Sequence, residues 1–108
     1  MQNMTLEFVS DRDLYQSYMP FMKNGGLFIR TTDAIELGTD VKLIVILPDA
    51  IDSSEIIGKV SWVTPVGVQN GTPAGIGVNF IEDPDHIRNR IDKAIGRLLS
   101  SSEATLSM

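Results

Sequence analysis

The sequence predicts a mainly β fold: a small antiparallel β-barrel of about five to six strands, a C-terminal α-helix and a short helix near the N-terminus. Five segments have the β-branched, aromatic or alternating apolar composition of strands. From residue 27 to residue 81, short turn-forming segments and no helix separate them, which favours antiparallel neighbours. The chain has 108 residues, enough for one domain with its own core. The predicted strands are residues 4–9, 27–31, 41–47, 55–63 and 75–81.

Residues 1–20 combine two patterns, and the sequence alone leaves open whether this part is strand, helix or both. Residues 4–9 alternate as a strand does, whereas residues 11–19 carry apolar side chains at helical spacing. Ser10 or Asp11 is placed to cap such a helix, because short polar side chains accept hydrogen bonds from the free N–H groups of a first turn. The apolar helix positions are Leu14, Tyr15, Tyr18 and Met19.

The last three strands show which side chains share a face. Residues 41–47 are apolar on both faces and stop at Pro48, which cannot donate to a sheet. Alternation places Ile56, Gly58, Val60 and Trp62 on one face of residues 55–63, and Ile76, Val78 and Phe80 on one face of residues 75–81. Asn70-Gly71 is a hairpin dipeptide and predicts a tight connection between these two strands.

Gly75 and Gly77 lie inside a strand and do not open a helix, so they do not form a phosphate-binding loop. Glycines on one face of a strand indicate the close approach of another backbone or of a large side chain. Trp62 is the neighbour that we expect.

A helix is predicted after the last strand. Asp83 is placed to cap it, Pro84 suits its first position, and apolar side chains recur three and four residues apart. This stripe is expected to cover an opening or edge of the barrel. Its members are Ile87, Ile91, Ile95 and Leu98. We therefore place the domain at residues 1–99 and expect a flexible tail over residues 100–108.

Composition and charge exclude several functions. The chain has no cysteine, and its single histidine, His86, is expected to be an ordinary surface residue, so we predict no catalytic residue, no metal site and no cofactor. The net charge of −5 opposes nucleic-acid binding. No segment is apolar enough to span a membrane and no signal peptide is visible, which favours a cytoplasmic protein. Four cations, Arg88, Arg90, Lys93 and Arg97, form either a solvated face with local ion pairs or a docking face for an acidic partner.

Five pieces in order resemble a PilZ domain: "NGGLFIRT", an apolar strand that stops at a proline, "GKVSWVTPVG", "AGIGVNFIE" and a closing helix. The segments "LYQSYMPFMKNGGLFI", "AGIGVNF" and "IRNRI" and the last four residues resemble in particular the stand-alone PilZ proteins of type IV pilus assembly. The resemblance implies a PilZ-like barrel over roughly residues 4–99.

Most PilZ domains are receptors for cyclic di-GMP, and two sequence motifs form their nucleotide-binding site. An Arg-x-x-x-Arg run precedes the barrel. An Asp/Asn-x-Ser-x-x-Gly motif comes next and leads into the first strand of the barrel. If Gly26 is the final glycine here, Phe21 stands at the acidic or amide position and Lys23 at the serine position. Arg12 has no second arginine four residues away. Loss of two charged clamps, each worth about 1.5–3 kcal/mol, predicts that the nucleotide does not bind.

The resemblance then implies an adaptor whose partners are the type IV pilus extension ATPase and, in some bacteria, an EAL-domain regulator that senses cyclic di-GMP. We predict that the partner surface uses Tyr15, Met19 and Pro20, because aromatic and methionine side chains anchor interfaces. Leu14, Tyr18 and Phe21 are expected to fill the barrel mouth instead. Leu106 and Met108 are expected to form a docking peptide, unless the tail has no role.

Two other functions stay open on the sequence. A divergent cyclic di-GMP receptor would use Arg12, Lys23 and Arg30 in a new arrangement. A small nucleic-acid-binding barrel would stack bases on exposed aromatic side chains in a basic groove, which the acidic composition disfavours.

Overall fold

The strands and helices follow the chain in the order β-α-β-β-β-β-α in a computed structural model that describes residues 1–48, 50–65 and 73–106, with side chains up to residue 100. All five predicted strands are confirmed, each to within two residues at either end. The elements are β1 (Gln2–Glu7), α1 (Asp11–Ser17), β2 (Gly26–Arg30), β3 (Asp40–Ile46), β4 (Ser54–Thr64), β5 (Gly75–Glu82) and α2 (Ile87–Leu106).

The five strands form one curled sheet in the order β1-β3-β4-β5-β2. The prediction of a mainly β, barrel-like sheet with two helices is confirmed, and in the described residues the barrel is a half-barrel. The sheet stays open between β1 and β2, and β1 runs parallel to β3. A parallel pair needs a long crossover, and here α1 and β2 provide it. The result is a half-barrel with two edge strands.

The core lies on the inner face of this curled sheet. Ile76, Val78 and Phe80 on β5 are fully buried, as their alternation predicts, and Ile56 and Val60 on β4 join them. The prediction that Trp62 shares this face is wrong, because the register of β4 against β5 shifts between Val60 and Trp62. A bulge of this kind redirects the side chains that follow it, and Trp62 emerges on the other face.

Helix α1 is shorter than its apolar spacing predicts. Its N-cap is Ser10, whose hydroxyl accepts the Asp13 N–H at 3.2 Å, as predicted. The helix stops at Ser17 because Tyr18 takes an extended conformation and forms a bridge with Leu27. The N-terminal twenty residues are thus both strand and helix.

Helix α2 begins at Ile87, three residues later than predicted, because His86 has a positive φ of 54° and breaks the helical conformation. Pro84 therefore does not occupy the first helical position. Asp83 still caps the helix from a distance: its carboxylate oxygens accept the N–H groups of Ile87 at 2.7 Å and Arg88 at 2.9 Å.

The apolar stripe of α2 packs into the same core as the sheet, with Ile87, Ile91 and Ala94 buried and Ile95 half-buried. The helical backbone continues to Leu106, past the predicted domain boundary at residue 99. Flexibility of residues 100–108 stays a prediction, and the Asn70-Gly71 turn lies outside the described residues. Neither described helix is both long and apolar enough to traverse a bilayer.

Candidate functional site

The loop between α1 and β2, together with the first residue of β2, holds the three positions that the resemblance aligns with the nucleotide-binding pattern. Gly26 is buried, and a Cβ there would lie 2.6 Å from the Met22 sulfur and 2.6 Å from the Val78 carbonyl oxygen. Lys23 is exposed. Phe21 is 78 % exposed, so the prediction that it fills the barrel mouth is wrong. The loop presents an aromatic ring and an ammonium group where the pattern needs small polar side chains.

Side chains from β5 and α2 contact the backbone of the same loop on its inner side. With its side-chain amide turned so that the nitrogen faces the loop, the orientation that satisfies both amide atoms, Asn79 on β5 donates to the carbonyl of Lys23 and, at 3.2 Å, to that of Gly25. The side chain of Arg88 covers Gly25, where a Cβ would meet its Cδ and Nε at 3.2 Å. Protein atoms therefore occupy the inner side of the loop.

Tyr18 joins this loop to α2. Its hydroxyl donates to Asp92 at 2.8 Å. Burial, and then the hydrogen bond to Asp92, raise the pKa of Tyr18 above its ordinary value of 10.0, while Arg88 acts in the opposite direction. Leu14 is fully buried, and Tyr18 is partly buried against the core. Leu14 and Tyr18 therefore point inward, as predicted for residues that fill the barrel mouth.

An apolar patch lies on the face of the sheet opposite the core, over the two glycines of β5. A Cβ on Gly77 would meet Trp62 Cβ at 2.9 Å and the side chains of Met19 and Met22 at 3.0 Å. A Cβ on Gly75 would meet the Phe28 ring at 2.5 Å. The absence of side chains at both positions lets these large groups lie against the sheet. We call Met19, Met22, Phe28 and Trp62 the Gly77 patch.

Three members of the patch, Met19, Phe28 and Trp62, line one side of a groove of about 920 Å³ that opens between the two edge strands. Strand β1 and helix α1 form the other side. Trp62 is 53 % exposed here, and its indole N–H donates to Thr64 at 2.9 Å. The groove lining includes Thr5, Glu7, Asp13, Phe28, Arg30 and Trp62.

The PilZ domain family matches residues 2–97 of the sequence. The chain belongs to the PilZ family. PilZ domains are in general non-catalytic binding or adaptor domains, and nothing in the described residues indicates an enzyme. No curated protein matched the sequence.

This PilZ domain brings together some of the predicted interface residues and separates others. Met19 lies in the Gly77 patch, whereas Tyr15 is 50 % exposed on α1 and does not line the groove. Pro20 is exposed. The side chain of Leu106 and all of Met108 lie outside the described residues, so their docking role stays a prediction.

The cations that would serve a divergent nucleotide receptor are spread over this PilZ domain. Arg30 lies at the end of β2 and lines the groove, whereas Arg12 on α1 and Lys23 in the loop do not line it. His86 is exposed, as predicted. Arg97 pairs with Asp11 at 3.6 Å, so part of the basic face of α2 fastens α1.

Half-buried Phe28 and exposed Trp62 were not predicted to lie together on the outer face of the sheet. The signal was present in Gly75 and Gly77, because two glycines on one strand face indicate large neighbours, and the expected contact between Trp62 and this strand is confirmed at Gly77. The bulge that turns Trp62 outward depends on the pairing of β4 with β5, which the sequence does not reveal.

Proposed function

We propose that this PilZ protein is a non-catalytic adaptor for type IV pilus assembly and twitching motility, acting in the cytoplasm. Its first partner is the pilus extension ATPase, and an EAL-domain regulator that senses cyclic di-GMP is the second. The observation that carries the proposal is the partly exposed Gly77 patch, in which Trp62 is 53 % exposed, beside a loop that lacks the residues of the nucleotide-binding pattern. An aromatic and methionine surface of this kind is typical of protein interfaces.

Tyr15 and Pro20 extend this interface, since both are exposed next to the segment that carries Met19. Leu106 and Met108 belong to the same proposal as a short peptide that docks on the partner. Their contribution is tested separately by removing the last residues of the chain.

A pull-down with purified pilus extension ATPase and purified EAL-domain regulator tests the adaptor function. Trp62→Ala and Tyr15→Ala each remove an exposed aromatic side chain, and we expect each to weaken binding about tenfold or more, as truncation of interface anchors does. The matched control is Ile51→Ala, because Ile51 is 97 % exposed and lies on the β3–β4 connection. Circular dichroism checks that the variants fold.

Binding of neither partner by the unaltered chain would contradict the adaptor proposal. Unchanged binding by both aromatic variants would instead show that another surface makes the contact.

The alternative function is a divergent cyclic di-GMP receptor. Calorimetric titration of the nucleotide into the full chain separates the two functions, and we expect no saturable heat at micromolar concentrations. The reasons are the Phe21 and Lys23 substitutions, the single upstream arginine, and the filled inner side of the loop at Gly25 and Gly26. Micromolar binding that Arg30→Gln abolishes would establish the receptor instead.

A further inference from the structure

The groove follows the edge of β1 rather than one of its faces. Four consecutive residues, 5 to 8, line it. Successive side chains of a strand point to opposite faces, so a cavity that touches all four must run along the edge between those faces. On the opposite wall, residues 28 to 30 of β2 line the groove in the same way.

The backbone of β1 turns hydrogen-bonding groups toward this groove. The Phe8 N–H donates to the Ile46 carbonyl at 3.0 Å, so the even-numbered residues of this segment face β3. The N–H and C=O groups of Thr5 and Glu7 therefore face away from β3, because these directions alternate along a strand. Within the described part of the chain, β1 ends the sheet on this side. Such an edge is a template for another extended chain.

The charges along the groove limit what fits. Glu7 and Asp13 lie on the side of β1 and α1, and Arg30 lies on the side of β2. None of the three forms an ion pair with another described residue. Phe28 and Trp62 give the groove its apolar wall. A complementary occupant carries a basic side chain toward Glu7 and Asp13 and apolar side chains toward the aromatic wall.

We propose that the groove binds an extended segment of a partner protein as an added strand on β1. The segment pairs its backbone with Thr5 and Glu7, alternates apolar residues, and carries a lysine or arginine beside Glu7 and Asp13. This mode of recognition obtains affinity from main-chain hydrogen bonds and selectivity from alternate side chains. It rests on the proposed function only in taking the partner to be a protein.

Peptides provide a direct test, because they can be selected on the groove without the partner protein. A phage-displayed library of random peptides is selected on the immobilised full chain, and the best peptide is synthesised. We expect an alternating apolar sequence with at least one basic residue, and we expect Glu7→Gln with Asp13→Asn to weaken its binding. Selection of no peptide, or of acidic peptides only, would overturn the proposal.

Thr5→Pro tests the backbone pairing, with Thr5→Ala as its matched control. Proline removes the outward N–H and is tolerated in an edge strand, whereas alanine keeps that N–H. We expect Thr5→Pro to weaken the peptide at least about tenfold, which is about 1.4 kcal/mol, and Thr5→Ala to leave it within about twofold. Equal binding to both variants would overturn the proposal.

A modified peptide covers the case in which Thr5→Pro fails to fold. N-methylation of the selected peptide at alternate residues removes backbone donors and keeps every side chain. One of the two alternation patterns must abolish binding to the unaltered chain if the peptide pairs as a strand. Undiminished binding of both patterns would overturn the proposal.

Two further measurements separate the other occupants. If a second copy of this chain pairs through β1, sedimentation shows a dimer that Thr5→Pro dissociates, and the proposal fails. Tyr15 does not line the groove, so we expect Tyr15→Ala to bind the peptide normally. Loss of ATPase binding by Tyr15→Ala with retained peptide binding thus tests the proposed function apart from the groove.

Discussion

At the scale of single residues, glycines determine how closely the loop and the patch approach the sheet. Gly26 lies where a Cβ would collide with the backbone carbonyl of Val78, which belongs to the paired strand and cannot move aside cheaply. Gly96 on α2 has no heavy atom within 4 Å of the same position. Substitution by alanine is therefore expected to change the free energy of unfolding in opposite directions at Gly26 and Gly96.

We expect Gly26→Ala to lower the free energy of unfolding by about 1–3 kcal/mol, the usual cost of overpacking. Gly96→Ala should raise it by about 0.5–1 kcal/mol, because alanine loses less backbone entropy in a helix. Urea denaturation of both variants measures the difference. If Gly26→Ala left the free energy of unfolding unchanged, Met22 and the β2–β5 pair would adjust more freely than their contacts indicate.

At the scale of secondary-structure elements, three sets of polar contacts hold the helices in place. Asp83 satisfies the first N–H groups of α2, and Tyr18 ties the end of α1 to the same helix through Asp92. Arg97 adds an ion pair with Asp11. The helices thus reach their positions through single polar contacts as well as through the apolar stripe.

Asp83→Ala leaves two N–H groups of α2 without their partner and removes a negative charge near the positive end of the helix. We expect the free energy of unfolding to fall by about 0.5–2 kcal/mol in urea denaturation. Asp85→Ala is the control. Asp85 is exposed, and its substitution removes the same negative charge two residues from Asp83. Equal losses in both variants would attribute the effect to net charge and not to capping.

The raised pKa of Tyr18 makes the hydrogen bond from Tyr18 to Asp92 depend on pH. Because the folded state holds the phenolic proton more tightly than the unfolded state, the stabilisation is complete below pH 10.0 and is lost as pH rises through the raised value. We expect the unaltered chain to lose stability above about pH 10 more steeply than Tyr18→Phe. Urea denaturation from neutral to alkaline pH measures both slopes. Parallel slopes would contradict the assignment.

At the scale of the whole molecule, the curled sheet is a half-barrel that stays open between β1 and β2 in the described residues. The opening creates the groove, and the bulge in β4 places Trp62 in its wall. Among the residues of α2 whose side chains the structure describes, Ile87, Ile91 and Ala94 are buried. The proposed domain boundary at residue 99 therefore remains compatible with the longer helix.

A chain that ends at Leu99 keeps every buried residue of the described core. We expect its free energy of unfolding to stay within about 0.5 kcal/mol of the full chain, the range typical of changes away from the core. A chain that ends at Arg90 loses Ile91 and Ala94 and should not unfold cooperatively. Urea denaturation compares the three. A loss of several kcal/mol at Leu99 would place the last residues in the fold.

Local spacing and residue type were enough to predict the strands and the two helices. Alternation identified Ile76, Val78 and Phe80 as core residues, and Ser10 was recognisable as a cap. Three outcomes required the folded chain: β1 pairs in parallel with β3, Trp62 turns outward, and Phe21 faces solvent. These outcomes depend on which strands meet and in what register, and pairing between distant segments leaves no local pattern in the chain.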